Sequence, residues 1–95
     1  KYEHHKHFKG CVDKKALYYD FYIPEQNLCI EYDGIQHFHP VEKFGGEKNL
    51  LGTQKRDLIK DDFCKKNNIN LLRISYKENI INKLKKILKQ ISNET

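Results

Sequence analysis

The run Leu28-Cys29-Ile30-Glu31-Tyr32-Asp33-Gly34-Ile35-Gln36-His37 sets two acids in an apolar strand and a histidine just past its end. Strand side chains alternate faces, so Glu31 and Asp33 share one face about 7 Å apart, while Ile30 and Tyr32 take the other and can point into a core. Like charges at that spacing repel unless a cation or a proton lies between them. The residue types read as a metal site, with a solvated strand face as the plainer alternative. Asp20 adds a third acid among Tyr19, Phe21 and Tyr22, where an unpartnered carboxylate is costly. If the two segments pair, Asp20, Glu31 and Asp33 can converge as oxygen ligands for Mg²⁺ or Mn²⁺, with positions left for water and phosphate oxygens. Such an ion polarises a phosphodiester and activates a water. His37, across the Gly34 turn, is placed to act as general base or to donate to a leaving oxygen. A surface or capping histidine is the alternative.

The elements that must position these groups follow from pattern. Residues 2–8 read as a strand, Gly10 and Asp13 to Lys15 as a polar turn, and residues 17–23 as a strand stopped by Pro24. The short turn 24–27 makes 17–23 and 28–33 an antiparallel hairpin. Residues 37–46, with Pro40, Gly45 and Gly46, read as irregular. A helix is expected over 47–67, with Leu51, Leu58, Ile59 and Phe63 on its apolar side, Thr53 as an alternative N-cap and Asn67-Asn68 as the stop. Residues 69–76 predict another strand, and Asn79 can cap a last helix whose Ile80, Ile81, Leu84, Ile87, Leu88 and Ile91 share a face. The order strand, hairpin, helix, strand, helix predicts an α/β domain with a small mixed sheet flanked by helices.

The 95 residues make one domain with a single core, so everything functional must share one scaffold. The chain begins at Lys1 rather than at a methionine, which suits a piece of a longer protein. No apolar run reaches membrane-spanning length and no signal peptide is evident, so an intracellular protein without a membrane partner is expected. Cys11, Cys29 and Cys64 are odd in number and widely spaced, which argues against disulfides and a zinc knuckle. A net charge of +5 permits a polyanionic partner. Sixteen of the 18 basic residues are lysine, a bias that an A/T-rich genome produces unaided, so charge alone does not identify the partner.

Four blocks carry a resemblance: Asp20-Phe21-Tyr22-Ile23-Pro24, Ile30-Glu31-Tyr32-Asp33-Gly34-Ile35-Gln36-His37, Gln54-Lys55-Arg56-Asp57, and Asn68-Ile69-Asn70-Leu71-Leu72-Arg73-Ile74. In order and spacing the chain resembles a PD-(D/E)XK-type nuclease, and more narrowly the branch of very-short-patch repair endonucleases and EDxHD phage homing endonucleases. The resemblance implies a restriction-endonuclease-like fold and a Mg²⁺- or Mn²⁺-dependent endodeoxyribonuclease, with DNA as partner in a phage, viral or bacterial host setting. It makes Asp20 the first metal ligand and Glu31 the acid of the (D/E)XK pair. Asp33 then stands where the broad family has a catalytic lysine. In the repair branch that position is also not lysine and histidines take part, which fits His37, with His39 as the alternative.

Lys55, Arg56 or Lys60, on the following helix, can supply the missing positive charge to phosphate. Arg56 and Lys60 share a helical face, whereas Asp57 is expected to face elsewhere and either pair with a base or touch the site. Gln36 and Asp57 are accessory positions, as is Glu3, which resembles the leading acid of the EDxHD pattern. His5 and His7 share a strand face but lack a third zinc ligand at suitable spacing. Two other readings remain: a catalytically inactive DNA-binding domain that keeps the nuclease fold, and a nuclease acting on RNA or single strands.

Overall fold

The structure, a computed structural model, describes residues 1–94, with the side chains of Phe44 and of residues 91–94 outside the description. The strands are β1 (Glu3–Lys6), β2 (Val12–Asp13), β3 (Lys15–Ala16), β4 (Tyr19–Ile23) and β5 (Leu28–Asp33). Helix α1 (Gly46–Lys66) follows, then β6 (Asn70–Ser75) and α2 (Ile80–Glu94). The main sheet has the order β1-β4-β5-β6, while β2 and β3 form a small separate hairpin. β1 pairs antiparallel with β4, and β4 with β5, whereas β6 lies parallel to β5. The fold is therefore a small mixed α/β domain with a four-stranded sheet.

The β4–β5 turn closes because Asn27 adopts a left-handed φ of 49° after a short 3₁₀ turn at Pro24–Gln26, a conformation that asparagine tolerates better than most residues. A parallel return to β6 needs a long crossover, and α1 provides it. This helix lies on one sheet face, where Ile59, Phe63 and Cys64 pack with Cys11, Tyr19, Cys29 and Leu71. On the other face α2 packs Leu84, Ile87 and Leu88 against Leu28, Leu72 and Ile74. Asn79 caps α2 by accepting the backbone N–H of Asn82 at 3.0 Å.

The helices depart from expectation in three places. Leu51 and Leu58 are exposed on α1 rather than packed, because the side of α1 that meets the sheet carries Asp57, Lys60 and Asp61 one to two turns before Cys64. Thr53 is buried inside α1 and is no cap, since the helix begins seven residues earlier at Gly46. Ile80 and Ile81 are largely exposed on the first turn of α2, ahead of its packed stretch. The side chain of Ile91, expected on the same face, lies outside the described residues.

Candidate functional site

Alternation along β5 puts Leu28, Ile30 and Tyr32 on the α2 face and Cys29, Glu31 and Asp33 on the α1 face. Both acids are buried, Glu31 at 3% and Asp33 at 5% exposure, whereas Tyr32 is half-exposed. The two faces separate as expected and Ile30 packs against a core, but the acids are buried and Tyr32, expected inside, is the exposed one. The α1 crossover covers the acidic face, and α2 leaves the outer end of the other face open.

The β4–β5 ladder runs from Ile23↔Leu28 to Phe21↔Ile30 and goes no further. Beyond it carboxylates take the place of ladder carbonyls. Glu31 Oε1 accepts the backbone N–H of Asp20 at 2.8 Å, and Asp20 Oδ2 accepts the N–H of Tyr32 at 2.7 Å. The two acids brace the strand ends through side chains, at the point where the strands stop pairing backbone to backbone.

Helix α1 completes the site. Lys60 Nζ donates to Glu31 Oε2 at 2.6 Å, in a pair whose side chains are 14% and 4% exposed. His37, on the short 3₁₀ turn after Gly34, sets Nδ1 at 2.9 Å from Asp57 Oδ2 and 3.6 Å from Asp33 Oδ1. Among the described residues Asp33, His37 and Asp57 form a group whose ligand atoms all lie within 4.8 Å of one another. The expected set of Asp20, Glu31 and Asp33 is not the group that converges. Asp57 and Lys60, three residues apart, face the same side of α1, contrary to the expectation that Asp57 looks elsewhere.

Arg73 sits at the centre of these acids. It is paired with Glu31 in the parallel β5–β6 register and so emerges on the same face. Its Nη1 lies 2.9 Å from Asp33 Oδ1, 3.7 Å from Asp57 Oδ1 and 3.9 Å from Glu31 Oε2. Its Nε donates to Asp61 Oδ1 at 2.8 Å and its Nη2 to the carbonyl of Asp57 at 3.2 Å. Sequence reasoning assigned no role to Arg73 or Asp61. The signal was present: one of only two arginines interrupts the apolar run Leu71-Leu72-Arg73-Ile74, and a guanidinium there requires carboxylate partners.

Burial pushes the Glu31 carboxyl above its ordinary value, against the lowering pull of Lys60 and the Asp20 N–H. Burial likewise raises Asp33, against Arg73 and His37. Arg73 is held more firmly charged than a free guanidinium, since its bond to Asp61 and the fields of Asp33 and Asp57 outweigh the burial that opposes its charge. Glu31, Asp33, Asp57 and Asp61 share two basic side chains, Lys60 and Arg73, so the acids outnumber the cations paired with them. Oxygen donors, one imidazole and surplus negative charge suit a hard divalent cation.

A groove of about 370 Å³ opens on this cluster, lined by Gln36, His37, Asn49, Arg56, Asp57 and Lys60 among others. Arg56 reaches it with a guanidinium whose one bond among the described residues is to Thr53 Oγ1 at 3.3 Å. Lys55 lies farther out, 63% exposed and 3.3 Å from Asp13. Gln36 folds over Gly34, where an added Cβ would meet its Oε1 at 2.5 Å. His39 is exposed and borders a different cavity, beside Asp33, Arg73 and Tyr76. Glu3 is not brought to the site; it lies exposed on β1 and pairs with Lys6 at 3.0 Å.

No helix among the described residues is long and apolar enough to cross a membrane. No family model matches the chain, and no solved structure matches it. Two curated viral proteins are similar to it, both named only as uncharacterized. Protein 094L of Frog virus 3 is 36% identical over 73 residues, 72% of this chain and 47% of that protein. Protein 307L of Invertebrate iridescent virus 6 is 34% identical over 58 residues, 60% of this chain and 29% of that protein. The chain spans less than half the length of either relative, and their names assign it no activity.

Proposed function

We propose that this domain is a divalent-metal-dependent endonuclease acting on DNA, of the PD-(D/E)XK type and with a restriction-endonuclease-like fold. The observation that carries the reading is the meeting of Asp33, His37 and Asp57, the latter two in the wall of a groove, beside a lysine pinned 2.6 Å from a buried glutamate. Asp33 and Asp57 would hold Mg²⁺ or Mn²⁺, with Glu31 behind them and Asp20 beside the splayed strand ends. Bound there, the ion would polarise the scissile phosphate and make a water acidic enough to attack it. Asp57 orients His37 through Nδ1, which leaves Nε2 to take a proton from the attacking water or return one to the leaving oxygen. Lys60 brings from α1 the positive charge that the family pattern places at position 33. Arg56, in the groove wall, would grip a neighbouring phosphate, and Lys55 lies farther along the same helix. The viral relatives suit a role in a virus-infected cell.

The test is a plasmid assay. Purified protein with Mg²⁺ or Mn²⁺ is expected to nick or linearise supercoiled DNA, while Asp20→Asn and Asp57→Asn bind DNA without cutting it. Intact plasmid and duplex after incubation with either metal would remove the enzyme reading. Binding that survives in the absence of any cutting would leave an inactive DNA-binding domain. Single-stranded DNA and RNA, run in parallel, decide the substrate class.

A further inference from the structure

We propose that Arg73 is a surrogate cation that holds the metal-binding acids together before the metal arrives and competes with it for the same place. The inference rests on the metal-site reading above and adds a positioning residue to it. Nη1 lies within 3.9 Å of carboxylate oxygens from Glu31, Asp33 and Asp57, three acids contributed by two different elements. A single positive nitrogen surrounded by three carboxylates marks where the field of the site is most negative, which is also where a divalent ion gains most.

The rest of the guanidinium is anchored elsewhere. Nε is bonded to Asp61 and Nη2 to the Asp57 carbonyl, neither of which belongs to the group of ligand atoms formed by Asp33, His37 and Asp57. Arg73 can therefore surrender the bond from Nη1 to Asp33 while keeping two others. The planar fork allows this division of labour, because Nε and Nη1 reach Asp61 and Asp33 from separate, fixed positions that a lysine's single ammonium does not reproduce. Without Arg73, Asp33 on β5 would face Asp57 and Asp61 on α1 with no shared cation, and the end of β5 and the middle of α1 would be pushed apart.

Two effects of opposite sign follow from this arrangement. Removing Arg73 destabilises the metal-free protein, because three acids lose their common partner. It also tightens metal binding, because the competing charge is gone. A residue that served only to shape the site would weaken both together.

The experiment uses Arg73→Gln and Arg73→Lys beside the wild type, with thermal melting followed by circular dichroism and Mn²⁺ binding followed by calorimetry. Neither readout depends on cleavage. Arg73→Gln is expected to melt several degrees lower without metal, to regain most of that loss in Mn²⁺, and to bind Mn²⁺ on the order of tenfold more tightly. Arg73→Lys should lie between the two. If Arg73→Gln is unfolded without metal, the proposal requires that it fold when Mn²⁺ is added, and a chain that stays unfolded overturns it. Equal or weaker Mn²⁺ binding by Arg73→Gln, against a wild type that binds, overturns this inference alone. Absence of Mn²⁺ binding in both proteins overturns the metal-site reading and the inference with it.

Discussion

Replacing Lys60 by Met keeps the length of the side chain and removes its charge, and the contact it breaks is well defined. Nζ lies 2.6 Å from Glu31 Oε2, with the glutamate side chain 4% exposed and the lysine 14%. Removing one partner of a buried pair costs about 3–5 kcal/mol, because the other charge is left uncompensated. Glu31 keeps the Asp20 N–H at 2.8 Å and has Arg73 Nη1 at 3.9 Å, so a loss of about 2–4 kcal/mol is expected here. For a domain of this size that corresponds to a fall in Tm of roughly 10–30 °C.

The pH dependence has a definite sign. Glu31 already has a raised pKa, chiefly through burial, with Lys60 pulling it down. Removing Lys60 raises it further, so the folded variant binds a proton more readily than the unfolded chain does. Its stability is then fullest below the ordinary glutamate pKa and is lost as pH rises through the folded value. The gap between wild type and Lys60→Met should be widest at neutral pH and should narrow as the acid range is approached. Urea melts at several pH values between 4.5 and 8 measure it. A difference below about 0.5 kcal/mol that does not change with pH would mean that the pair behaves as a solvated surface contact and not as a buried Lys60–Glu31 centre.

Three further outcomes follow. Burial raises both Glu31 and Asp33 and metal ligands must be deprotonated, so Mn²⁺ affinity should already be falling with acidity above the usual carboxylate range; calorimetry in buffers of different ionisation enthalpy should detect proton release. Tyr19→Phe removes a hydroxyl that donates to the Lys60 carbonyl at 2.9 Å and accepts from Cys64 at 3.3 Å; it should cost about 1–2 kcal/mol in a urea melt. Leu58→Gln changes a side chain that is 63% exposed and should stay within about 0.5 kcal/mol of wild type; a loss above about 2 kcal/mol would show that Leu58 is packed, as its helical spacing suggests.

The four strands of the main sheet were legible because their signals are local, whereas the short β2–β3 pair lies where the sequence reads as a polar turn. Tyr19 to Ile23 and Leu28 to Asp33 flank a turn whose Asn27 takes the left-handed conformation, so both the hairpin and its antiparallel sense follow from neighbouring residues. α1 was legible as a helix but not in its orientation. Its spacing marks Leu51 and Leu58 as apolar as readily as Ile59 and Phe63, and the helix turns two of the four to solvent because the sheet beneath its middle is charged. Tertiary electrostatics overrode the hydrophobic count there. Within the site, Glu31, Asp33 and His37 lie close together in sequence and could be read as a group. The contributions of Asp57, Lys60, Asp61 and Arg73 depend on how α1 and β6 align over β5, which is a long-range matter. Arg73 faces Glu31 only because β6 runs parallel in a register pairing 31 with 73, and single-sequence pattern does not specify that register.

The proposal stands on the acids, histidine and lysine gathered under α1 forming a phosphodiester-cleaving centre. Its most direct measurement is single-turnover cleavage of an end-labelled DNA duplex in Mn²⁺ by wild type and Asp33→Asn, both shown to be folded by circular dichroism. Metal-dependent cleavage is expected of the wild type, with a loss of at least about a hundredfold in Asp33→Asn and duplex binding retained. Cleavage by Asp33→Asn at the wild-type rate, or a wild type that binds duplex and Mn²⁺ yet leaves every phosphodiester intact, would contradict it.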